Sequence, residues 1–236
     1  MNSGFAGFPK EALTFFRGLK KNNAREWFQE HKQVFDDKVK APMVELVSAL
    51  NRDMMRFAPE YATDPAKAIY RIYRDTRFSH DKTPYKTHIA AVFNRRGMEK
   101  HAGAGLYFSV SPEEIEIAGG VYMPGPEQLL AIRNHLAANH AEFRRLIAAR
   151  SFRTLMGKLW GQQLSRAPKG FPPDHAAADL LRYKQWLVYV LLEPSLAATP
   201  KLAPELIRRF RVMVPFVEFL NKPLARTGRR PAEFLV

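Results

Sequence analysis

The sequence predicts an α+β fold, in which one mainly antiparallel sheet is covered by N-terminal and C-terminal helical layers. Apolar residues recur at helical spacing through the N-terminal quarter, alternate at strand spacing across the middle of the chain, and return to helical spacing after Pro126. Helices and strands that are segregated in this way are typical of α+β proteins. We therefore expect a single domain over residues 1–236, with a basic C-terminal tail, residues 226–236, that frays; two domains divided near residue 125 are the alternative.

The N-terminal helical layer is predicted from three apolar stripes. Pro9 stands in the first turn of the first helix, and Asn22 or Asn23 is expected to cap the second. Pro42 begins a third helix, which ends before Pro59. Aromatic residues of the second helix recur at helical spacing, which favours a place in the core over contact with a ligand. These residues are Trp27, Phe28 and Phe35.

The sheet is predicted from short stretches that are rich in β-branched and aromatic residues. Glutamates alternate with isoleucines over residues 114–117, which indicates an antiparallel hairpin with one face in water. The following pair, Gly119 and Gly120, is expected to end or bulge its strand, where the backbone approaches another closely or takes a positive φ. The four predicted stretches are residues 69–74, 88–95, 106–110 and 114–118.

The C-terminal helical layer begins at Pro126 and ends with a helix over residues 202–220, which Pro215 is expected to kink or split. Two shorter helices between them are predicted from their capping residues. They cover residues 151–160, capped by Ser151, and residues 174–182, capped by Asp174. Residues 183–192 suit either a strand or more helix, because their aromatic and β-branched side chains follow a helical stretch without interruption.

Composition limits the classes of protein to which the chain can belong. Its 236 residues are 46% hydrophobic, which is enough for a proper core, and no apolar run is long enough to span a bilayer. We expect a protein without a membrane segment, located in the cytoplasm. The absence of cysteine excludes disulfides, thiolate metal sites and cysteine nucleophiles.

The net charge of +14 is concentrated in two regions. Residues 67–100 contain nine basic and three acidic side chains, and residues 201–236 contain eight and three. In the rest of the chain the numbers of basic and acidic side chains are nearly equal, so the positive charge is not spread uniformly along the sequence. This concentration indicates either an anionic partner or two solvated patches.

The first of these regions contains residues 68–93, which we call the basic segment; it reads AIYRIYRDTRFSHDKTPYKTHIAAVF. Its cations are opposed by only Asp75 and Asp81. Its many apolar residues would cost free energy in water, so the segment is expected to be folded. Pro84 holds the preceding residue away from helical geometry and predicts a shaped loop over residues 79–86.

Five cations and one tyrosine of the basic segment are predicted to bind a compact anionic ligand, phosphorylated molecules included. An arginine guanidinium matches the oxygens of phosphate or carboxylate, a lysine adds a point charge, and the tyrosine would orient the ligand. The six residues are Arg71, Arg74, Arg77, Lys82, Tyr85 and Lys86. Asp75 lies between Arg74 and Arg77, and for this carboxylate we favour an internal salt-bridge network, in which loss of Arg74 would strand Asp75.

Three other functions stay open from the sequence. One is a nucleic-acid-binding protein that also uses the C-terminal cations, with Tyr70, Tyr73 or Phe78 stacking on bases. Another is an enzyme that acts on an anionic substrate through a proton carrier in the basic segment. The last is a structural network without a ligand. The candidate proton carriers are Asp75, His80 and Tyr85.

No cofactor and no metal are predicted. The histidine and carboxylate spacings match no helix-borne metal set, and the glycines lack the flanking elements of a phosphate-binding or dinucleotide-binding loop. His80 and His88 flank the predicted loop, but single histidines are more often surface or packing residues. The sequence leaves the oligomeric state open.

Three stretches of the chain together resemble a known family. They read NNAREWF, IYRIYRDTRFSHDKTPYKTH and GLYFSVSPEEIEIAGGVYMP. These stretches are similar to the bacterial conserved hypothetical proteins called domain of unknown function 2461, and the resemblance extends from Phe8 to about Leu224. It implies a single domain and brings no established activity. It also implies that the family's motif positions are Arg74, Asp75, Arg77, Phe78, Lys82, Pro84, Tyr85, Lys86 and Gly120.

Overall fold

The computed structural model describes residues 4–77, 79–98 and 103–225, and it confirms the α+β fold. One antiparallel sheet contains four strands, which lie next to one another in the order of the sequence. The strands are β1 (Ile89–Asn94), β2 (Gly105–Val110), β3 (Ile115–Val121) and β4 (Trp186–Leu192).

Helices precede the sheet, separate β3 from β4, and follow β4. The N-terminal helices are α1 (Lys10–Lys21), α2 (Arg25–Glu30), α3 (Lys32–Val34), α4 (Ala41–Met54) and α5 (Pro65–Ala68), with a π-helical turn at Phe35–Lys40. The later helices are α6 (Pro126–Ala148), α7 (Arg150–Met156), α8 (Ala178–Leu181) and α9 (Leu202–Asn221). Among the residues described, no helix is long and apolar enough to cross a membrane.

The chain divides into two compact units, and the first consists of residues 1–93, 107–117 and 190–211. Its core includes Phe93, whose ring lies 6.4 Å from that of Phe108 and 5.5 Å from that of Phe210. Apolar burial of this kind is the main stabilising contribution to such a unit.

The second unit consists of residues 94–106, 118–189 and 212–236. Its core includes Phe143, which packs between Phe216 and Phe219 of α9. Neither unit is a continuous half of the chain. The expectation of a single domain stays a prediction, and its tail, residues 226–236, lies outside the described residues.

The helix boundaries confirm most of the apolar periodicity and correct the predicted caps. Neither Asn22 nor Asn23 caps α2, which begins after Ala24. The helix expected over residues 151–160 ends at Met156, because the chain turns at Gly157 and Trp160 then pairs with β4 through Leu187. Ser151 is likewise no cap, since the helix already begins at Arg150.

Two other stretches differ from expectation in their secondary structure. The helix predicted over residues 174–182 is limited to α8. The stretch over residues 183–192, which suited either a strand or more helix, contains strand β4. Residues 69–74 form two isolated bridges, Ile69 with Ala91 and Tyr73 with Tyr85, instead of a continuous strand. The stretch that faces them has two more residues between the bridges, so a regular ladder cannot form.

The glycine pair in β3 does not end the strand, which continues to Val121. At Gly120 the backbone nevertheless approaches another backbone segment closely and has a positive φ, as predicted. Its φ is +125°, and a Cβ at this position would lie 2.0 Å from the carbonyl oxygen of Trp186. Only glycine fits such an approach without displacing a backbone.

Candidate functional site

The basic segment folds back on itself as two extended arms joined by a loop. The amide of Arg74 donates to the carbonyl of Pro84 over 2.9 Å, and the amide of Lys86 donates to the carbonyl of Ile72 over 2.8 Å. Residues 75–77 and 79–83 belong to the loop between the arms. Phe78, one of the residues predicted to stack on bases, lies outside the described residues.

The side chain of Asn23 holds the second arm. Its amide nitrogen donates to the carbonyl of Tyr85, and its amide oxygen accepts from the N–H of Tyr85, each over 3.0 Å. A planar carboxamide can satisfy both backbone groups of one residue, as a neighbouring strand would. Sequence reasoning missed this clamp, because an asparagine just before a helix has the usual signature of a cap.

Tyr85 itself is a core residue. Its ring stacks on Phe28 of α2, with centroids 4.3 Å apart, and lies 5.4 Å from the ring of Tyr73. The residue is only 2% exposed, and burial raises the pKa of its phenol. Tyr85 was expected to orient a ligand. In this geometry it instead anchors the basic segment in the core.

Arg74 closes the loop through Asp81. Its guanidinium donates to Oδ2 of Asp81 and to the hydroxyl of Thr83, and it also reaches the carbonyl of Thr83. The N–H of Thr83 bonds back to Oδ1 of Asp81, and this bond, followed by that from Arg74, lowers the pKa of Asp81 to about 2. The expectation that loss of Arg74 would strand Asp75 is wrong, because Arg74 pairs with Asp81 and Asp75 pairs with Arg77.

Asp75 pairs with Arg77 instead. Nε and Nη2 of Arg77 donate to the two carboxylate oxygens over 3.0 and 2.8 Å, and the N–H of Arg77 adds a bond of 3.2 Å. These bonds lower the pKa of Asp75 to about 2. The internal network expected for Asp75 is thus present, and it occupies a solvent-exposed position where ion pairs add little stability.

Replacing Asp81 with asparagine is expected to lower the melting temperature at pH 7 and to have less effect in acid. The folded pKa of Asp81, about 2, lies below its ordinary 3.8, so this carboxylate stabilises the fold at neutral pH and stops doing so as the pH falls through the folded pKa. Melting curves of both proteins between pH 7 and pH 2 measure the change, which is expected below the ordinary pKa of 3.8. Asp174→Asn, at another exposed carboxylate, is the control. A difference that stays constant with pH would contradict the assignment.

The other three predicted cations lie on the same arms and loop. Nζ of Lys82 donates to the carbonyl of Thr76, and Nζ of Lys86 donates to the carbonyl of Arg71, each over 3.0 Å. Lys86 also lies over the ring of Tyr70, 5.1 Å from its centroid. The guanidinium of Arg71 is exposed and forms no ion pair or hydrogen bond within the described ranges.

The structure therefore sorts the six predicted residues into two groups. Arg74 and Arg77 pair with the segment's only two carboxylates, and Tyr85 anchors it to α2. Arg71, Lys82 and Lys86 carry the rest of the segment's positive charge. For the part of the chain that the structure covers, no three histidine or carboxylate side chains are grouped so that they could hold a metal ion.

Comparison with known proteins returned one finding. A model of the family described as conserved hypothetical protein (DUF2461) matches residues 11–219. No curated protein matches the chain. No solved structure matches it either.

Proposed function

This chain belongs to the DUF2461 family, whose description names no activity, and from its own residues we propose that it binds a compact anionic ligand, phosphorylated molecules included. Arg71, Lys82 and Lys86 of the basic segment are the proposed contacts. Arg74 and Arg77 shape the loop that carries Lys82, and Tyr85 holds the arm that carries Lys86.

One observation supports this proposal above the others: the basic segment keeps an excess of positive charge while its two arms are hydrogen-bonded to each other and to Asn23. Five cations face two carboxylates, which leaves a net charge of +3 within residues 68–93. The two ion pairs and the Asn23 clamp connect parts of the segment without help from a ligand. Cations that are already in position lose less entropy when an anion binds, which favours affinity.

The alternatives receive less support. Two of the three candidate proton carriers of the enzyme hypothesis are poorly suited to the role: Asp75, with a pKa of about 2, stays ionised and paired at neutral pH, and Tyr85 is stacked in the core. The third, His80, is exposed. For nucleic acid, Tyr73 is 48% exposed, but its ring is already packed beside Tyr85 and Phe28. A polyanion would also need cations spread over a longer track than one short segment.

Inorganic phosphate is expected to raise the melting temperature. With a dissociation constant of about 1 mM, phosphate at about 10 mM would stabilise the protein by about 1.4 kcal/mol, or about 3–5 °C for a chain of this size. Thermal melts at constant ionic strength, balanced with chloride, measure the shift. Arg71→Ala and Lys86→Ala should reduce it to less than half, whereas Lys40→Ala, which removes an exposed cation from the π-helical turn, should leave it unchanged.

Two results would overturn the proposal. One is a phosphate response that is absent, or that is the same in Arg71→Ala as in the parent. The other is tight oligonucleotide binding whose salt dependence requires about five or more phosphate contacts, at roughly 0.9 log units per contact for a duplex. The second result would support the nucleic-acid alternative.

A further inference from the structure

We propose that the ligand of this site is an anion joined to a flat ring, with the anionic group at Lys86 and the ring against Tyr70 and Tyr107. The inference rests on the proposed function, and it adds the chemical class of the ligand. Its basis is a cluster of half-buried side chains on one face of the sheet, which we call the tyrosine face. The cluster consists of Tyr70, Lys86, His88, Tyr107 and Glu116.

The alternation of β2 and β3 places two of these residues together. Phe108 of β2 and Ile115 and Ile117 of β3 are fully buried, so Tyr107 and Glu116 point to the opposite face. The turn between the strands closes with a 3.0 Å bond from the N–H of Ser111 to the carbonyl of Glu114. An antiparallel register from this turn sets Glu116 opposite residue 109 and diagonal to Tyr107.

Tyr70 reaches the same face from the other side of β1. Its N–H donates to the carbonyl of Ala90 over 2.9 Å, and β1 lies between it and β2. The rings of Tyr70 and Tyr107 have centroids 6.4 Å apart and are tilted by 58°. Because Ala90 carries only a methyl group, it leaves room above the sheet for the two rings to approach. Both tyrosines are half-buried, and it is against this pair that the third ring is placed in our proposal.

Lys86 joins the tyrosine face to the proposed anion contacts. Its ammonium group donates to the carbonyl of Arg71 and lies over the ring of Tyr70. An anion bound by Lys86 therefore has the ring of Tyr70 beside it. A substituent on that anion therefore lies next to the tyrosine face.

The electrostatics of the face favour an uncharged ring. Burial raises the pKa of Tyr70 and of Glu116, the latter with help from Glu114, and it raises the pKa of Tyr107 to about 12. Burial, followed by Lys86, lowers the pKa of His88. All four shifts favour the neutral form of the side chain, as expected where water is partly excluded. Such a surface accepts a neutral aromatic group more readily than a second charge.

Two phosphate monoesters of equal charge test the inference. Phenyl phosphate should bind about ten-fold more tightly than methyl phosphate, since stacking on an aromatic side chain has an effect of this order. Isothermal titration calorimetry measures both dissociation constants. The preference should fall to two-fold or less in Tyr107→Leu, with methyl phosphate binding retained, and should persist in Tyr107→Phe. Tyr122→Leu, which removes a tyrosine that is 65% exposed elsewhere, should behave as the parent.

A second measurement uses the unaltered protein. Nuclear Overhauser contacts between the protons of bound phenyl phosphate and tyrosine ring protons are expected, and their absence would overturn the inference even if Tyr107→Leu fails to fold. Equal affinity for the two esters, or a preference that survives in a folded Tyr107→Leu, would overturn the inference and leave the anion site standing. If neither ester binds, the proposed function fails, and the inference fails with it.

Discussion

Replacing Gly120 with alanine is expected to lower the free energy of unfolding by about 3 kcal/mol or more. The new Cβ would lie 2.0 Å from the carbonyl oxygen of Trp186 and 3.0 Å from the Cα of Leu187, both of which are backbone atoms that cannot rotate away. The φ of +125° adds strain for any residue with a side chain. Chemical denaturation followed by circular dichroism measures the loss.

Gly170→Ala is the matched control for this substitution. Gly170 also has a positive φ, +91°, but nothing lies within 4 Å of the position that its Cβ would occupy. This variant should therefore show only the conformational penalty, about 1–2 kcal/mol. If the two alanine variants were equally stable, the close approach between β3 and Trp186 would not be a significant constraint.

The second large effect is expected at Asn23. Removing its carboxamide in Asn23→Ala leaves the N–H and the carbonyl of the buried Tyr85 without their partner, at a cost of about 2–3 kcal/mol. Asn23→Asp keeps an acceptor for the N–H and should lose less. The same denaturation experiment applies. The phosphate response should also weaken in Asn23→Ala, because the arm that carries Lys86 would no longer be held.

Asn22→Ala provides the neighbouring control. Asn22 is exposed and donates only to the carbonyl of Gly18 within its own helix, so its loss should change stability by about 0.5 kcal/mol or less. Equal effects at positions 22 and 23 would show that the clamp is not a specific stabilising contact.

The sequence predicted the secondary structure correctly where apolar residues recur with a single period over a whole element. The hairpin of β2 and β3 and the long helix α9 follow from alternation and helical spacing, because each buries one continuous face. The short helices were predicted to be too long. The helix expected over residues 151–160 ends before Gly157, and Trp160 pairs with Leu187, which belongs to a strand that follows later in the sequence. Tertiary pairing of this kind leaves no local signal.

The sequence predicted which residues belong to the candidate site, but it did not predict the role of each residue. The partner of Arg74 is Asp81, seven residues away across the loop, and the residues next to Arg74 give no indication of this pairing. Asn23 and Tyr85 are separated by 62 positions, so nothing local connects them. Tyr107 was overlooked, although its place between buried residues of β2 puts it on the same side as the glutamates of the hairpin.

Several of the motif positions implied by the family resemblance now have physical explanations. Gly120 allows a close backbone approach, Tyr85 fills the core beside α2, and the two paired arginines define the loop. The ammonium group of Lys82 donates to the carbonyl of Thr76, and that of Lys86 donates to the carbonyl of Arg71. They are accordingly the motif residues on which we expect ligand binding, rather than stability, to depend most.

The division into two interleaved units determines how the protein can be dissected. The chain passes from one unit to the other at residues 93–94, 106–107, 117–118, 189–190 and 211–212, and each passage lies inside a strand or α9. A cut at such a point would break a hydrogen-bonded element, and a fragment of residues 1–93 would lack Phe108 and Phe210, the partners of Phe93. Ligand mapping by deletion is therefore expected to yield insoluble pieces, whereas two co-expressed fragments that together restore every stretch could reassemble the fold.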